Sequence, residues 1–401
     1  MSRRMTPALC LALVAAFCCL PADVAPSGRA ERFPESVTPD LKLITGDCAL
    51  FVTLRPADFV ADELFAAILG KAPNQLEEEL QVSAYGLERY TVAVLREGQV
   101  QIVRTKKAYD ADKIRDKLPE SRPAIPAKFE EEAEDAPRKP IIHQKKVGGK
   151  TIYYVGELFV GTHVWCPIDK HTFLQGNIDA VVTLLQSKAK PSAGMAEALT
   201  LASENSLVIG TDGKLLRILI NRSIENGLRS RVQMSWVQVR FGEAEKAKGE
   251  SDDVERMFDS DGFGLAWLPM KPLLASKFGI LTLDVKKTYL LTARIALRDK
   301  DDLDDGERAV RTILYIGRQI AARWRMPAAG KDFEALMPLG APLHEAIKDA
   351  RIERRDNTLV TSIVLTPGPG LAKKVRDAMA EKKKREGLPD KKDKSQSEKV
   401  P

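Results

Sequence analysis

The chain has 401 residues, with 62 Lys and Arg against 56 Asp and Glu, a formal net charge of +6. Apolar residues make up 44%, charged residues 29% and aromatics 6%. That balance excludes a collagen, a wholly disordered chain and a polytopic membrane protein, and leaves one large globular domain or two ordinary ones.

The charge is unevenly spread. Residues 371–401 hold 11 basic and 6 acidic side chains, and residues 1–25 hold Arg3, Arg4 and Asp23, so the body between residues 26 and 370 is neutral. A nucleic-acid-binding domain carries a basic face within its fold, and no nucleic acid is expected here.

Residues 1–25 read as a signal peptide. Arg3 and Arg4 form the positive start, and Ala8 to Leu20 is an uncharged run of 13 residues. That suits a signal core of roughly 7–15 residues and falls short of the roughly 20 needed to span a bilayer. An uncleaved anchor and a lipid on Cys18 or Cys19 are the alternatives, the latter disfavoured by Phe17. No later segment is long and apolar enough to span, so the expected location is extracytoplasmic, periplasmic or secreted. Cleavage would leave Cys48 and Cys166, which could pair as a disulfide in an oxidising compartment or stay as buried thiols.

After a leader at 26–42, Asp47–Leu54 reads as a strand whose alternation puts Cys48, Leu50, Val52 and Leu54 on one face. Pro56 then opens a helix with the stripe Val60, Leu64, Ala67, Ile68 and a stop at Gly70. Glu88–Leu95 and Gln99–Val103 form a hairpin around Glu97-Gly98. Residues 106–118 read as a charged helix, and 119–140, rich in Pro and acids, as a solvated insertion. Gly148-Gly149 turns between strands, Thr151–Val155 and Phe159–Cys166 follow, and Asp169-Lys170 turns into Thr172–Leu174. A helix with Ile178, Val181, Val182 and Leu185 closes a first lobe, 43–187. Residues 188–200 read as a linker.

A helix-like AEALTLA stretch at 196–202 starts the second half, and the second lobe, 201–370, continues with a hairpin over Ser206–Ile220 turning at Asp212-Gly213, then a strand over Val232–Phe241 and another over Thr288–Leu297. Residues 305–325 have the strongest helical period, with Val310, Ile313, Leu314, Gly317, Ile320, Ala321 and Trp324 on one stripe. Asp304, Asp305 and Glu307 begin it and Arg318, Arg323 and Arg325 end it, the order the helix dipole favours. A hairpin turns at Asp356-Asn357, and 371–401 is a basic tail, helical to about 385 and largely disordered beyond. Both lobes repeat one grammar of strand pairs and helices, so the predicted class is α+β with mostly antiparallel sheets and two similarly organised lobes, an internal duplication being one origin.

Reactive patterns are few. Gly149-Lys150-Thr151 matches the end of a phosphate loop, but Gln144 replaces the required Gly and a strand follows where a helix is needed. His163, Cys166 and His171 could ligate zinc, yet residues three apart in a strand point to opposite faces. Residues 299–307 partly match a calcium loop, with Leu303 at a ligand position and Thr312 where a Glu should stand. Ser187–Lys190 matches S-x-x-K without its companion motifs, and no G-x-S-x-G is present. No catalytic residue, metal or cofactor is predicted.

Asp47–Leu54, YGLERYTVAVL, the charged helix 106–118, GGKTIYY and DKHTFLQGNIDAVVTLL, in that order, resemble a broad group of exported bacterial proteins of unknown function built from repeated strand-and-helix units. The resemblance covers about residues 43–366 and implies an extracytoplasmic α+β protein, with no catalytic residue to carry over. The expected function is a non-enzymatic envelope or periplasmic protein with a binding or structural role. Lys382, Lys383, Lys384 and Arg385 are its candidate contacts to an anionic envelope polymer, lipid head groups or an acidic protein. The alternatives are a carrier of an apolar, lipid-like ligand between sheet and helices, and a hydrolase using an unrecognised carboxylate pair.

Overall fold

The computed structural model describes residues 37–70, 72–116, 118, 141–155, 162–215, 276–324 and 336–385. The expected strand over Val232–Phe241, the insertion 119–140, the signal segment and residues 386–401 lie outside them.

The described strands join one antiparallel sheet of 12. In chain order they are β1 (Cys48–Leu54), β2 (Leu87–Leu95), β3 (Gly98–Thr105), β4 (Ile142–Val147), β5 (Lys150–Val155), β6 (His163–Pro167), β7 (Thr172–Asn177), β8 (Leu207–Asp212), β9 (Phe278–Val285), β10 (Tyr289–Ala296), β11 (Arg351–Arg355) and β12 (Thr358–Leu365). Across the sheet the order is β11-β12-β10-β9-β8-β1-β2-β3-β7-β6-β5-β4. The α+β class with a large antiparallel sheet is therefore the observed one. The first strands of the two sequence halves, β1 and β8, pair directly at the centre, Val52 opposite Ile209. Counted outward from that junction among the described strands, both sides run first, second, third, last, next-to-last, and the first side then continues with β5 and β4.

The helices are α1 (Pro56–Ala61), α2 (Glu63–Leu69), α3 (Ala72–Leu80), α4 (Ala111–Asp116), α5 (Ile178–Gln186), α6 (Ala193–Leu201), α7 (Leu303–Trp324), α8 (Met337–Lys348) and α9 (Leu371–Arg385). Helices α5 and α6 cover one sheet face through Ile178, Val181, Leu184, Met195, Ala198 and Leu199, packed on Phe51, Ile102, Leu174, Val208 and Ile280. On the other face, Leu80 and Ile114 from α3 and α4 cover Val103, Trp165 and Phe173, and α7 covers Ile295 and Leu359.

Several details depart from the pattern read in sequence. A register shift between Cys48 and Leu50 flips the start of β1, so Cys48 joins Phe51 in the α5–α6 core while Leu50 and Val52 face the other way. The single expected helix after Pro56 breaks at Asp62, which is extended and accepts from the Leu64 and Phe65 amides to cap α2. Helices α3 and α8 escape the sequence reading because prolines disguise them: Pro73 and Pro338 lie in first turns, where no amide partner is needed, whereas Pro342 lies inside α8 and forgoes one intrahelical hydrogen bond. Of the helix expected over 106–118, residues 106–110 are not helical and Ala111–Asp116 are. Residues 213–215 begin a helical turn where the hairpin was expected to turn back, the Asp212 side chain accepting from the Leu215 amide; 216–220 lie outside the described residues, and β8 pairs with β9, a strand the sequence reading did not include. The stretch AEALTLA at 196–202, read as helix-like, lies largely in α6, which begins at Ala193 within the segment 188–200 read as a linker.

The segment before β1 is bound from within. Val37, Leu41 and Ile44 are buried in the α5–α6 core. Asp40, 1% exposed, meets Arg89 of β2, 2% exposed, at 3.0 Å. The same guanidinium donates to Thr38 Oγ1 at 2.5 Å, and Arg104 Nε lies 3.7 Å from the Asp40 carboxylate.

Candidate functional site

The structure disperses the reactive residues read from the sequence. His163 and Trp165 share one face of β6, and Cys166 lies in the core beneath the other. His171 sits in the turn after β6, its amide donating to Asp169 at 2.7 Å. Among the described residues no three His, Cys, Asp or Glu side chains are grouped to hold a metal, so neither the zinc nor the calcium pattern assembles. The acids at 304–307 instead begin α7, where Glu307 accepts from Arg354 at 2.6 Å and Asp304 from Arg354 at 2.7 Å. Those hydrogen bonds, with another from Arg311, hold the Glu307 carboxyl below the usual glutamate range. Gly148 and Gly149, with φ of 54° and 77°, make a hairpin turn, and Lys150 Nζ donates to the Ile168 carbonyl at 3.0 Å.

The pairing considered for Cys48 and Cys166 is not formed. Both thiols are free and buried. They stand on β1 and β6, with β2, β3 and β7 between. Four inter-strand steps of about 4.8 Å separate them far beyond the roughly 7 Å Cα limit of a disulfide. Burial pushes Cys48 up to about 12 and Cys166 up to about 11, so both stay protonated and unreactive at neutral pH.

Two features can engage something outside the fold. The first is α9. Leu371 and Val375 are buried against Leu64 of α2, Tyr289 and Leu339, with Ala372 and Met379 beside them. That stripe follows the helical repeat and turns Lys373, Lys374, Arg376, Lys384 and Arg385 outward, with Asp377 and Glu381 the acids among them. The receiving surface is itself fixed, since Tyr289 donates its hydroxyl proton to Asp62 at 2.7 Å. Of the four candidate contacts, Lys384 and Arg385 are exposed in the last turn of α9, and Arg385 pairs with Glu381 at 2.5 Å. Lys382 lies half-buried nearer the docking stripe. The cationic surface thus begins at Lys373, nine residues before the Lys-rich run, and the helical period with Leu371 and Val375 was the signal for it.

The second is a cavity of about 30 Å³ between α7 and the sheet, lined by Leu291, Ala293, Ile295, Val310, Ile313 and Ile363 among others. The amino-terminal end of α7 sits tightly: a Cβ at Gly306 would lie 2.5 Å from Leu297 Cδ1 and 3.1 Å from Leu359 Cδ1. Toward its other end Tyr315 and Ile320 are 55% and 48% exposed. Among the described residues no helix is long and apolar enough to cross a membrane.

No family model matches the chain, and no curated protein matches it. Among solved structures it is similar to TP0453 in crystal form I, at 9% identity and a TM-score of 0.37, over 87% of this chain and 99% of that one. Crystal form III gives 8% and 0.37 over 86% and 100%, and form IV gives 9% and 0.33 over 86% and 97%. At that distance nothing functional transfers.

Proposed function

We propose that this chain is a non-enzymatic binding protein of an extracytoplasmic compartment, and that it holds an anionic envelope surface, polymer or lipid head group, through α9. The observation that carries this reading is the outward cationic face of a helix docked by Leu371 and Val375. Docking fixes the cations in space, so a surface contact forfeits less ordering entropy than a loose tail would. The signal-like residues 1–25 support the location, and cleavage after them is part of the proposal. Binding of the full chain to phosphatidylglycerol vesicles and to an anionic cell-wall polymer tests it. Weakening with salt in at least one case is expected; salt-insensitive binding, or none, counts against it.

The two halves of the sheet are proposed as an internal duplication, supported by their shared strand order about the β1–β8 junction. The lobe limits 43–187 and 201–370 belong to the same proposal.

The cavity beneath α7 favours a second reading, a carrier of an apolar ligand. At about 30 Å³ it is too small for an acyl chain, so loading requires the outer half of α7 to lift from β10 and β12. Ala293→Leu fills the space. It should abolish uptake of a fluorescent fatty acid by a carrier, and leave the protein equally or more stable if the space is only a packing gap. Among the described residues no observation favours the hydrolase: the carboxylates whose titration is perturbed there, Glu307 and Glu345, are moved down by their cationic neighbours, whereas a general acid must be moved up.

A further inference from the structure

Strands β10 and β12 pair with Tyr289 opposite Leu365, Leu290 opposite Val364 and Thr292 opposite Ser362. Alternation sends Tyr289 and Leu365 to the face on which α9 docks, where both pack. Leu290 and Val364 point to the other face, and there they are 41% and 54% exposed. Helix α6 covers that face as far as Arg294, whose guanidinium meets Glu197 at 2.7 Å. Leu290 lies past that contact, toward the turn between β9 and β10. Of the large apolar side chains exposed among the described residues, Tyr85 and Ile141 lie outside the strands and Tyr315 and Ile320 on α7. Leu290 and Val364 are the two set directly opposite each other on neighbouring strands. One exposed apolar side chain is ordinary; an adjoining pair is a small apolar platform.

Cations flank this platform. Lys286 and Lys287 are exposed in the turn between β9 and β10. Asp284, opposite Leu290 on β9, is neutralised by Lys286 Nζ at 2.6 Å, so Lys287 carries the net charge of the turn. From Val364 the chain passes through the exposed residues Gly368 and Pro369 into α9, whose first turn exposes Lys373 and Lys374. The pair therefore lies at the end of the sheet where the cationic helix begins. That chemistry selects the occupant. At an anionic bilayer interface, Lys side chains reach the head groups while apolar groups enter the acyl boundary. A second copy of the chain would set Lys287, Lys373 and Lys374 against their own like charges. A soluble anionic polymer would engage the cations and leave Leu290 and Val364 in water.

We infer that the Leu290–Val364 pair, with Lys287 and the first turn of α9, is a membrane-contact patch that takes an anionic lipid bilayer. The inference rests on the reading of α9 as a contact to an anionic surface, and it names lipid rather than polymer as that surface.

The test uses the full chain with two probes, phosphatidylglycerol vesicles and soluble dextran sulfate. Two variants are compared with it, L290T with V364T and K373E with K374E. Threonine is β-branched and suits a strand, so the first variant removes apolar surface without breaking the ladder. It should bind the vesicles at least about tenfold more weakly, from the apolar area no longer buried, and bind dextran sulfate as tightly as the unaltered chain. Should it fail to fold, the unaltered chain injected beneath a phosphatidylglycerol monolayer decides. A rise in surface pressure is expected from apolar entry, and no rise overturns the inference. Vesicle binding that the threonine variant leaves unchanged also overturns it, and so does an equal loss of dextran sulfate binding. A concentration-dependent dimer that the same variant abolishes assigns the pair to a second copy and overturns it too. The charge variant keeps the two readings apart: if it binds both probes as tightly as the unaltered chain, the reading of α9 fails; if it alone loses vesicle binding, that reading stands and the apolar patch falls.

Discussion

Replacing Asp40 by Asn tests the packing of the segment that leads into β1. The change keeps shape and removes one charge. Arg89, 2% exposed, would then be a buried cation without its counter-ion, its Nε already without a partner. Arg104, 21% exposed, can turn to Glu88 at 2.9 Å and does not relieve it. Breaking a buried pair from one side costs about 3–5 kcal/mol, and at about 2–4 °C per kcal/mol the melting temperature should fall by roughly 6–20 °C. Removing both charges together, as D40L with R89M, should recover most of the loss, because the desolvation of both ions disappears with their attraction. Calorimetry and urea unfolding on the single and double variants read both effects. A fall below about 2 °C for D40N, or a double variant less stable than the single, would refute the claim that this pair is what fixes residues 37–44.

Gly210→Ala should destabilise by about 1–3 kcal/mol in urea unfolding, since the new Cβ would lie 2.4 Å from the Phe51 ring and 2.8 Å from Ala198 Cβ at the β1–β8 junction. Glu307 is held down by Arg354 and Arg311, so its stabilising share is complete above the ordinary glutamate range and lost as pH falls through its lowered value. Glu307→Gln should therefore flatten the acid side of the stability–pH profile, read by thermal melts from about pH 5 down to about pH 2, which spans the ordinary glutamate value and the range below it. With residues 1–25 removed, both thiols should resist a thiol reagent in native buffer and both react in denaturant; failure of the denatured protein to release two free thiols would contradict the strand separation of Cys48 and Cys166.

Local chemistry made much of the architecture legible. Gly98 and the Gly148-Gly149 pair marked turns the structure keeps, Asp356 adopts φ of 52° where the last hairpin turns, and the long stripe from Val310 to Trp324 became α7. What escaped was tertiary. β9 reads FGILTLDV, an apolar run whose length and composition fit a strand or a buried helix equally, and only its pairing with β8 and β10 decides. The flip at Cys48 comes from a register shift that no periodicity announces. The cationic face of α9 was half visible: composition pointed to Lys382–Arg385, while the docking stripe that turns Lys373, Lys374 and Arg376 outward needed the partner surface of α2.

The most direct test of the proposed role is the salt dependence of vesicle binding, measured for the full chain and for a variant carrying K373E, K374E, R376E and K384E on phosphatidylglycerol vesicles. At about 1 kcal/mol per cation near the surface, the unaltered chain should bind at least about a hundredfold more tightly at low salt, and the gap should close toward 1 M, where the Debye length is about 3 Å. Equal binding by the two proteins across the salt range would contradict the assignment of α9 as the contact surface.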